Sequence, residues 1–166
     1  MGWHHVDLRW RIDEAQQHLE AGRPFEGLAC LERAFSELRE RRPRRIARFV
    51  GPDDGSDAVL KAIVAATKRA ADQLVKDTIG LERCGQLLSG AGAGTSACRV
   101  FERVVRLAPT RATAHYNHGI ALRATNAPAA ALTAFDRCLR RAPDWAGAHN
   151  YRALCLRQLD RPQEAR

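Results

Sequence analysis

Apolar and polar residues follow the period of an amphipathic helix along much of the chain. In residues 8–20 and again in 24–41 the apolar positions lie three or four residues apart. A third such stretch begins at Ser56 or Asp57, and we expect it to break around 77–80 rather than to run on into the next helix. The pattern predicts an all-α fold.

From Thr78 onward the chain repeats itself every 34 residues without an insertion. Small residues, leucine, alanine, phenylalanine and proline each return at this spacing. The series are Gly85, Gly119 and Ala153; Leu88, Leu122 and Leu156; Ala97, Ala131 and Ala165; Phe101 and Phe135; and Pro109 and Pro143. Small residues let two helices approach closely, phenylalanine fills the space between successive pairs, and proline ends a helix. The repeat therefore predicts helix pairs, each of which packs at the same angle against the pair before it.

This repeat resembles that of the tetratricopeptide repeat (TPR) family, a helix-turn-helix unit of the same length. The second copy carries the resemblance through His115, His118, Gly119, Leu122, Ala131, Phe135 and Pro143. It departs from the family where histidine replaces the leading tryptophan and where leucine replaces the later aromatic residue. The resemblance covers residues 78–166 and implies a right-handed superhelical solenoid of antiparallel helix pairs.

These patterns divide the chain into three parts. Residues 1–56 are predicted to hold a diverged helical pair followed by a basic turn and a loop, and 57–77 a connecting helix. Residues 78–166 hold the tandem repeats. The repeats are 78–111, 112–145 and an incomplete 146–166.

The turns and the end of the chain carry two further expectations. Asn126 and Asp160 occupy equivalent turns and are expected to cap helices. Because the last pair is unfinished, the apolar face that carries Leu154 and Leu156 is expected to lie uncovered. A continuation of the chain, a partner or self-association with a second copy would then cover this face.

The composition of the chain limits the partners and ligands that it is expected to bind. The chain has 27 Lys and Arg against 19 Asp and Glu, a net charge of +8, which favours acidic partners. It has neither an apolar run long enough for a membrane span nor a start typical of a signal peptide, so we expect a cytoplasmic protein without a membrane partner. Five cysteines without a CxxC pair predict reduced, buried thiols, with no metal site, disulfide framework or cofactor.

The resemblance also implies where a partner would bind. In TPR-like arrays the first helices of successive pairs line a concave groove that holds a peptide. Carried over column by column, the groove residues are Glu82, Gln86, Tyr116, Ile120, Arg123, Asn150, Leu154 and Arg157. The family's clamp for a C-terminal carboxylate uses Lys and Asn here, and only Asn150 matches it, which argues against chaperone tails. Arg123 and Arg157 could bind a carboxylate, although exposed arginines are often simply solvated.

We therefore expect a scaffold or adaptor that binds a protein or peptide and is not an enzyme. One alternative is the adaptor portion of a larger enzyme whose catalytic domain lies beyond Arg166. Another is nucleic-acid binding through a basic cluster within 39–48, although its lack of interleaved aromatic residues favours a solvated turn. The cluster begins at Arg39, and its candidate binding residues are Arg41, Arg42, Arg44, Arg45 and Arg48.

Two other features resemble a phosphate site and a metal or catalytic site, but their sequence context argues against both. Residues 89–95 contain alternating glycines, but no preceding strand or Gly-Lys-Ser/Thr motif supports a phosphate site, so we expect an interhelix turn. His115, His118, His149 and Cys84 occupy columns that normally pack between helices. We therefore expect packing there rather than metal binding or nucleophilic catalysis.

Overall fold

The computed structural model describes residues 6–41 and 56–165, which contain eight α-helices and a short 3₁₀ helix. The helices are α1 (Val6–Glu20), α2 (Pro24–Arg41), α3 (Ser56–Gln73), α4 (Thr78–Gly90), α5 (Gly94–Leu107), α6 (Ala112–Ala124), α7 (Pro128–Arg141), α8 (Ala146–Gln158) and the 3₁₀ helix Pro162–Ala165. The described ranges contain no strand, and the predicted all-α fold is confirmed. None of their helices has the length and apolar character needed to cross a membrane.

The predicted break before α4 occurs, but it starts earlier than 77–80. Helix α3 ends at Gln73 and α4 begins at Thr78. Asp77 has an extended backbone, and its Oδ1 accepts a 2.6 Å hydrogen bond from the Gly80 amide, which satisfies a free donor of the first turn. A Cβ on Gly80 would lie 2.8 Å from the Leu74 side chain, so the intervening segment folds tightly onto the start of α4.

Contacts divide the chain into two compact units, Met1–Ala93 and Gly94–Arg166. In the first unit α1 packs on α2, α3 packs on both, and α4 packs on α2 and α3. Its fully buried side chains include Leu28, Leu31 and Ile63. The predicted parts 1–56, 57–77 and 78–166 are defined by sequence repeats and not by contacts, and this division stays a prediction.

Specific polar contacts hold the first unit together. The Gln73 side chain donates a 2.8 Å hydrogen bond to the carbonyl of Leu19. The Arg83 guanidinium binds both carboxylate oxygens of Glu32, at 2.9 Å and 2.6 Å. A Cβ on Gly27 would lie 3.0 Å from Leu19, so glycine lets α2 approach α1 closely. Helices α1 and α2 thus form a close pair.

The second unit is built from α5 to α8. Helix α6 packs on α5 and α7, α8 packs on α7, and the 3₁₀ helix packs on α8. Its core contains Ala131, Phe135, Cys138, Ala148 and Cys155. A Cβ on Gly119 would lie 2.7 Å from the Phe135 ring, which confirms that a small residue is needed where α6 meets α7.

One turn geometry recurs between the helices of a pair. Each turn contains one residue in the left-handed conformation, with φ between 56° and 75°: Gly22, Gly92, Asn126 and Asp160. The amide after that residue bonds back five positions, as in Ala127 to Leu122 at 3.0 Å and Arg161 to Leu156 at 2.8 Å. This arrangement closes the preceding helix and satisfies its last carbonyls.

The expected role of Asn126 as a cap for the following helix is therefore wrong. The N-cap of α7 is Ala127, which makes no side-chain capping bond, and Pro128 follows in the first turn. Asn126 and Asp160 instead end the first helix of each pair. Their short polar side chains tolerate the left-handed conformation at lower cost than most residues.

The end of the second unit is more fully covered than its unfinished last pair suggests. Leu156 is fully buried, whereas 37% of Leu154 is exposed. The chain folds back after α8, and the 3₁₀ helix packs along it. The expectation of an uncovered face is thus wrong for Leu156 and right for Leu154.

Candidate partner-binding site

Helices α6 and α8 lie side by side in the second unit. The Arg123 guanidinium stands over the Tyr151 ring, 5.0 Å from its centroid. One turn further along, the Gln158 amide donates a 3.0 Å hydrogen bond to Oδ1 of Asn126. These contacts join the first helices of two successive pairs, which carry six of the eight predicted groove residues.

Four aromatic rings pack together between these helices and α7. Tyr116 stacks on Trp145, with ring centroids 4.8 Å apart, and meets Phe135 and Tyr151 edge to face at 6.0 Å and 5.9 Å. Phe135 and Tyr151 stack at 5.6 Å. A Cβ on Gly147 would lie 2.9 Å from the Tyr116 hydroxyl, so this glycine admits the ring. The aromatic cluster, defined by these four rings, fixes the surface around Arg123.

Trp145 and Tyr151 belong to the site although neither was a predicted site residue. Neither residue stands in a repeated column, so the 34-residue pattern does not single them out. Trp145 is the N-cap of α8 and its ring covers Tyr116. The available signal was the concentration of aromatic residues around the start of the third repeat.

Arg123 is held in place but incompletely paired. Its Nε atom is buried and has no hydrogen-bond partner among the described residues. Leaving such a donor unsatisfied costs about 1–3 kcal/mol, so an acceptor supplied by a ligand would be favoured. Burial raises the pKa of the neighbouring Cys155 thiol, and the positive charge of Arg123 opposes that rise.

The remaining groove residues differ in exposure. Ile120 is half-buried, while Asn150, Leu154 and Arg157 are exposed on α8. Glu82 and Gln86 lie on α4 in the first unit, the former half-buried and the latter exposed. The assignment of all eight residues to a binding groove stays a prediction.

The histidines in the family's tryptophan column make the same bond in both repeats. Nε2 of His115 lies 2.8 Å from the carbonyl oxygen of Pro109, and Nε2 of His149 lies 2.6 Å from that of Pro143. Each therefore links the start of a first helix to the segment before it. His118 is half-buried, and its burial lowers its pKa.

In the first unit, three potential metal ligands come together on α1 and α2. Ligand atoms of Glu14, His18 and Cys30 all lie within 4.8 Å of one another. Burial raises the pKa of the Cys30 thiol, and the charge of Glu14 and a hydrogen bond to it raise that pKa further. The sequence contains no CxxC pair that would indicate this cluster. Glu14 and His18 lie four residues apart on α1, and Cys30 lies on the facing helix α2.

Most of the basic cluster lies outside the part of the chain that the structure describes. Arg41 is the last residue of α2, and Arg42, Arg44, Arg45 and Arg48 lie outside the described residues. Nucleic-acid binding through this cluster is therefore an untested alternative.

Solved structures show that the fold is a known one. A crystal structure of MamA superposes with a TM-score of 0.57 at 14% identity, covering 91% of this chain and 87% of that one. MamA from Desulfovibrio magneticus RS-1 gives 0.57 at 18% identity, covering 95% and 88%. Likenesses at this level of identity establish a shared helical-repeat fold. No curated protein sequence matches the chain significantly.

The sequence itself matches a family model. The model described as tetratricopeptide repeat matches residues 85–144 and 116–166. These ranges include α6 to α8 entirely, and with them the aromatic cluster and Arg123. Residues 85–166 therefore carry tetratricopeptide repeats.

Proposed function

We propose that the protein is an interaction scaffold whose second unit binds an acidic peptide segment of a partner protein along α6 and α8. The observation that carries this proposal is the buried, unpaired Nε of Arg123 beside the aromatic cluster. The tetratricopeptide repeats support protein binding in general, and Arg123 supplies the reason for an acidic partner.

Arg123 has the properties of a prepared anion contact. The cation–π contact with Tyr151 restrains the guanidinium, so less conformational entropy is lost when a ligand binds. A carboxylate can accept from Nε and a terminal nitrogen together, which adds direction as well as strength. Nε is shielded from solvent in the free chain, so the Arg123 side chain would turn outward on binding, and one carboxylate would then satisfy the donor that the described residues leave unpaired.

The residues around Arg123 would select a ligand by more than its negative charge. Ile120 and the exposed Leu154 offer apolar contact area, and the exposed Arg157 adds a second positive charge on α8. We therefore expect a segment in which an acidic residue lies next to an apolar one. Arg157 would contribute less than Arg123, because an exposed ion pair is weakened by water and salt.

The proposal places no catalysis in this chain. Tetratricopeptide repeats are typical of non-catalytic scaffolds, and the groove residues offer an arginine and apolar groups rather than a nucleophile with a base. An adaptor role within a larger enzyme would use the same binding surface, so the experiment below does not depend on it.

The test compares peptides that differ only in charge. A displayed library would vary Asp and Glu against Asn and Gln around a central Leu, and binding to the full chain would be measured. Acidic peptides should be enriched, and Arg123→Gln should weaken their binding about 10- to 100-fold, since a hydrogen bond to a charged group is worth about 1.5–3 kcal/mol. Arg140→Gln is the matched control, because Arg140 is exposed on α7.

Two results would contradict the proposal. One is equal enrichment of acidic and neutral peptides by the full chain. The other is an equal loss of affinity in Arg123→Gln and Arg140→Gln, which would indicate a general effect of net charge. Circular dichroism of both variants would establish that they remain folded.

A further inference from the structure

Facing residues of α1 and α2 bring three metal-binding groups together, Glu14, His18 and Cys30, and Glu26 lies beside His18. Glu14 and His18 are four residues apart on α1, and Glu26 and Cys30 are four apart on α2. Residues with this spacing share one face of a helix. Because α1 and α2 pack against each other, the two faces meet.

The distances bring the donor atoms near one another. One ligand atom each from Glu14, His18 and Cys30 lies within 4.8 Å of the other two. An oxygen of Glu26 lies 2.8 Å from Nδ1 of His18. Two ligands on one tetrahedral ion with bonds of about 2.0 Å stand about 3.3 Å apart, so the ligand atoms of Glu14, His18 and Cys30 would have to approach one another by up to about 1.5 Å on binding.

Burial and pairing distinguish this cluster from a surface group of acids. Cys30 is only 8% exposed, and the Nδ1 atom of His18 is buried. That nitrogen lies close to Glu26 but makes no hydrogen bond of acceptable geometry. Glu26 is the outermost of the four and also pairs with Arg23 at 2.9 Å.

We propose that Glu14, His18 and Cys30 bind a divalent transition-metal ion of the zinc type, with Glu26 available as the fourth ligand. A thiolate and an imidazole together favour zinc over magnesium or calcium, which prefer oxygen ligands. The ion would cross-link α1 to α2 and so stabilise the first helical pair. This site is independent of the peptide surface, which lies on the other unit.

Cobalt is the direct probe, since it takes the same ligands and reports them by colour. The full chain, kept reduced with a phosphine, would be titrated with Co²⁺ and then with Zn²⁺. We expect one equivalent of Co²⁺ to produce a thiolate-to-cobalt charge-transfer band and tetrahedral visible bands. Zn²⁺ should displace the cobalt and raise the unfolding temperature of the chain.

Variants assign the ligands. Cys30→Ser should abolish the charge-transfer band, and His18→Gln should weaken binding by at least about 100-fold, more than the loss of an outer partner. Glu14→Gln tests the site without emptying the buried Cys30 position. Cys98→Ser is the control, because Cys98 is a half-buried thiol on α5 in the other unit.

The outcomes separate clearly. Retention of the band in Cys30→Ser, or its loss in Cys98→Ser, would overturn the assignment. Absence of any band, or weak binding of several equivalents unchanged by all three ligand variants, would overturn the site itself. Circular dichroism before metal addition identifies any variant that fails to fold, and Glu14→Gln then decides.

Discussion

Nε2 of His115 lies 2.8 Å from the carbonyl oxygen of Pro109, six residues earlier, and His149 repeats this bond to Pro143 at 2.6 Å. A carbonyl can only accept, so Nε2 carries the proton. Pro109 and Pro143 lie in the turns that precede α6 and α8, and the histidines donate to carbonyls of these turns. Histidine thus performs a linking role in a column where the family usually places tryptophan.

Replacing His115 tests that bond. His115→Gln can place its amide near the position of Nε2, whereas the shorter His115→Asn cannot. Because His115 is only 4% exposed, we expect His115→Asn to lower the free energy of unfolding by about 1 kcal/mol more than His115→Gln. Denaturant unfolding would measure the difference, and equal losses would argue against a stabilising hydrogen bond.

The contact between Gly119 and Phe135 predicts a steric effect. A Cβ at Gly119 would lie 2.7 Å from the Phe135 ring, so Gly119→Ala should destabilise the second unit by about 1–3 kcal/mol. The same change should cost less when Phe135 is first replaced by Leu, because the smaller side chain leaves room. Thermal unfolding of the four proteins in this cycle tests the coupling; additive losses would contradict it.

The left-handed conformation of Asn126 predicts which substitutions it tolerates. Its φ is 59°, so Asn126→Gly should leave stability nearly unchanged, whereas Asn126→Ala should lower it by about 1–2 kcal/mol. Both changes remove the hydrogen bond from Gln158, so their difference isolates the backbone effect. Asp160, with a φ of 56°, should show the same order in a matched pair of variants.

The half-buried His118 predicts a dependence of stability on pH. Burial lowers its pKa in the folded state, while Glu102 opposes and His115 and Arg137 add to this effect. As pH falls below about 6.5, the unfolded chain binds the proton more readily than the folded one, so the free energy of unfolding decreases. Above that pH both states are neutral at His118, and its contribution disappears.

His118→Gln provides the measurement. Urea unfolding of both proteins between pH 5 and pH 8 should show a shallower loss of stability in the variant on the acid side. Histidines that do not interact with His118 cancel in the comparison, and the interaction of His118 with His115 is part of the measured effect. Parallel curves would mean that His118 titrates alike in the folded and unfolded chains.

The repeat columns predicted much of the fold. The 34-residue spacing indicated the close approach at Gly119, and α5 and α7 end two residues before Pro109 and Pro143. Contacts between side chains on different helices could not be predicted from the repeat, because they depend on the crossing angle and rotation of each helix. The stacking of Trp145 on Tyr116 is one such contact, and the meeting of Glu14 with Cys30 is another.

The errors have local causes. Asn126 was expected to begin a helix, since the residues that favour an N-cap also tolerate the left-handed turn that ends one. Leu156 was expected to lie uncovered, because a count of helices cannot show that the chain folds back into a 3₁₀ helix along α8. In both cases the residue type was informative and the backbone geometry decided its role.

The most direct test of peptide binding follows the Nε–H signal of Arg123 in ¹H–¹⁵N spectra during titration with an acidic peptide selected by the full chain. We predict a saturable downfield shift of this proton, because its unpaired donor gains a carboxylate acceptor, while the Nε–H of Arg140 stays unchanged. A peptide that binds without moving the Arg123 signal would contradict the account.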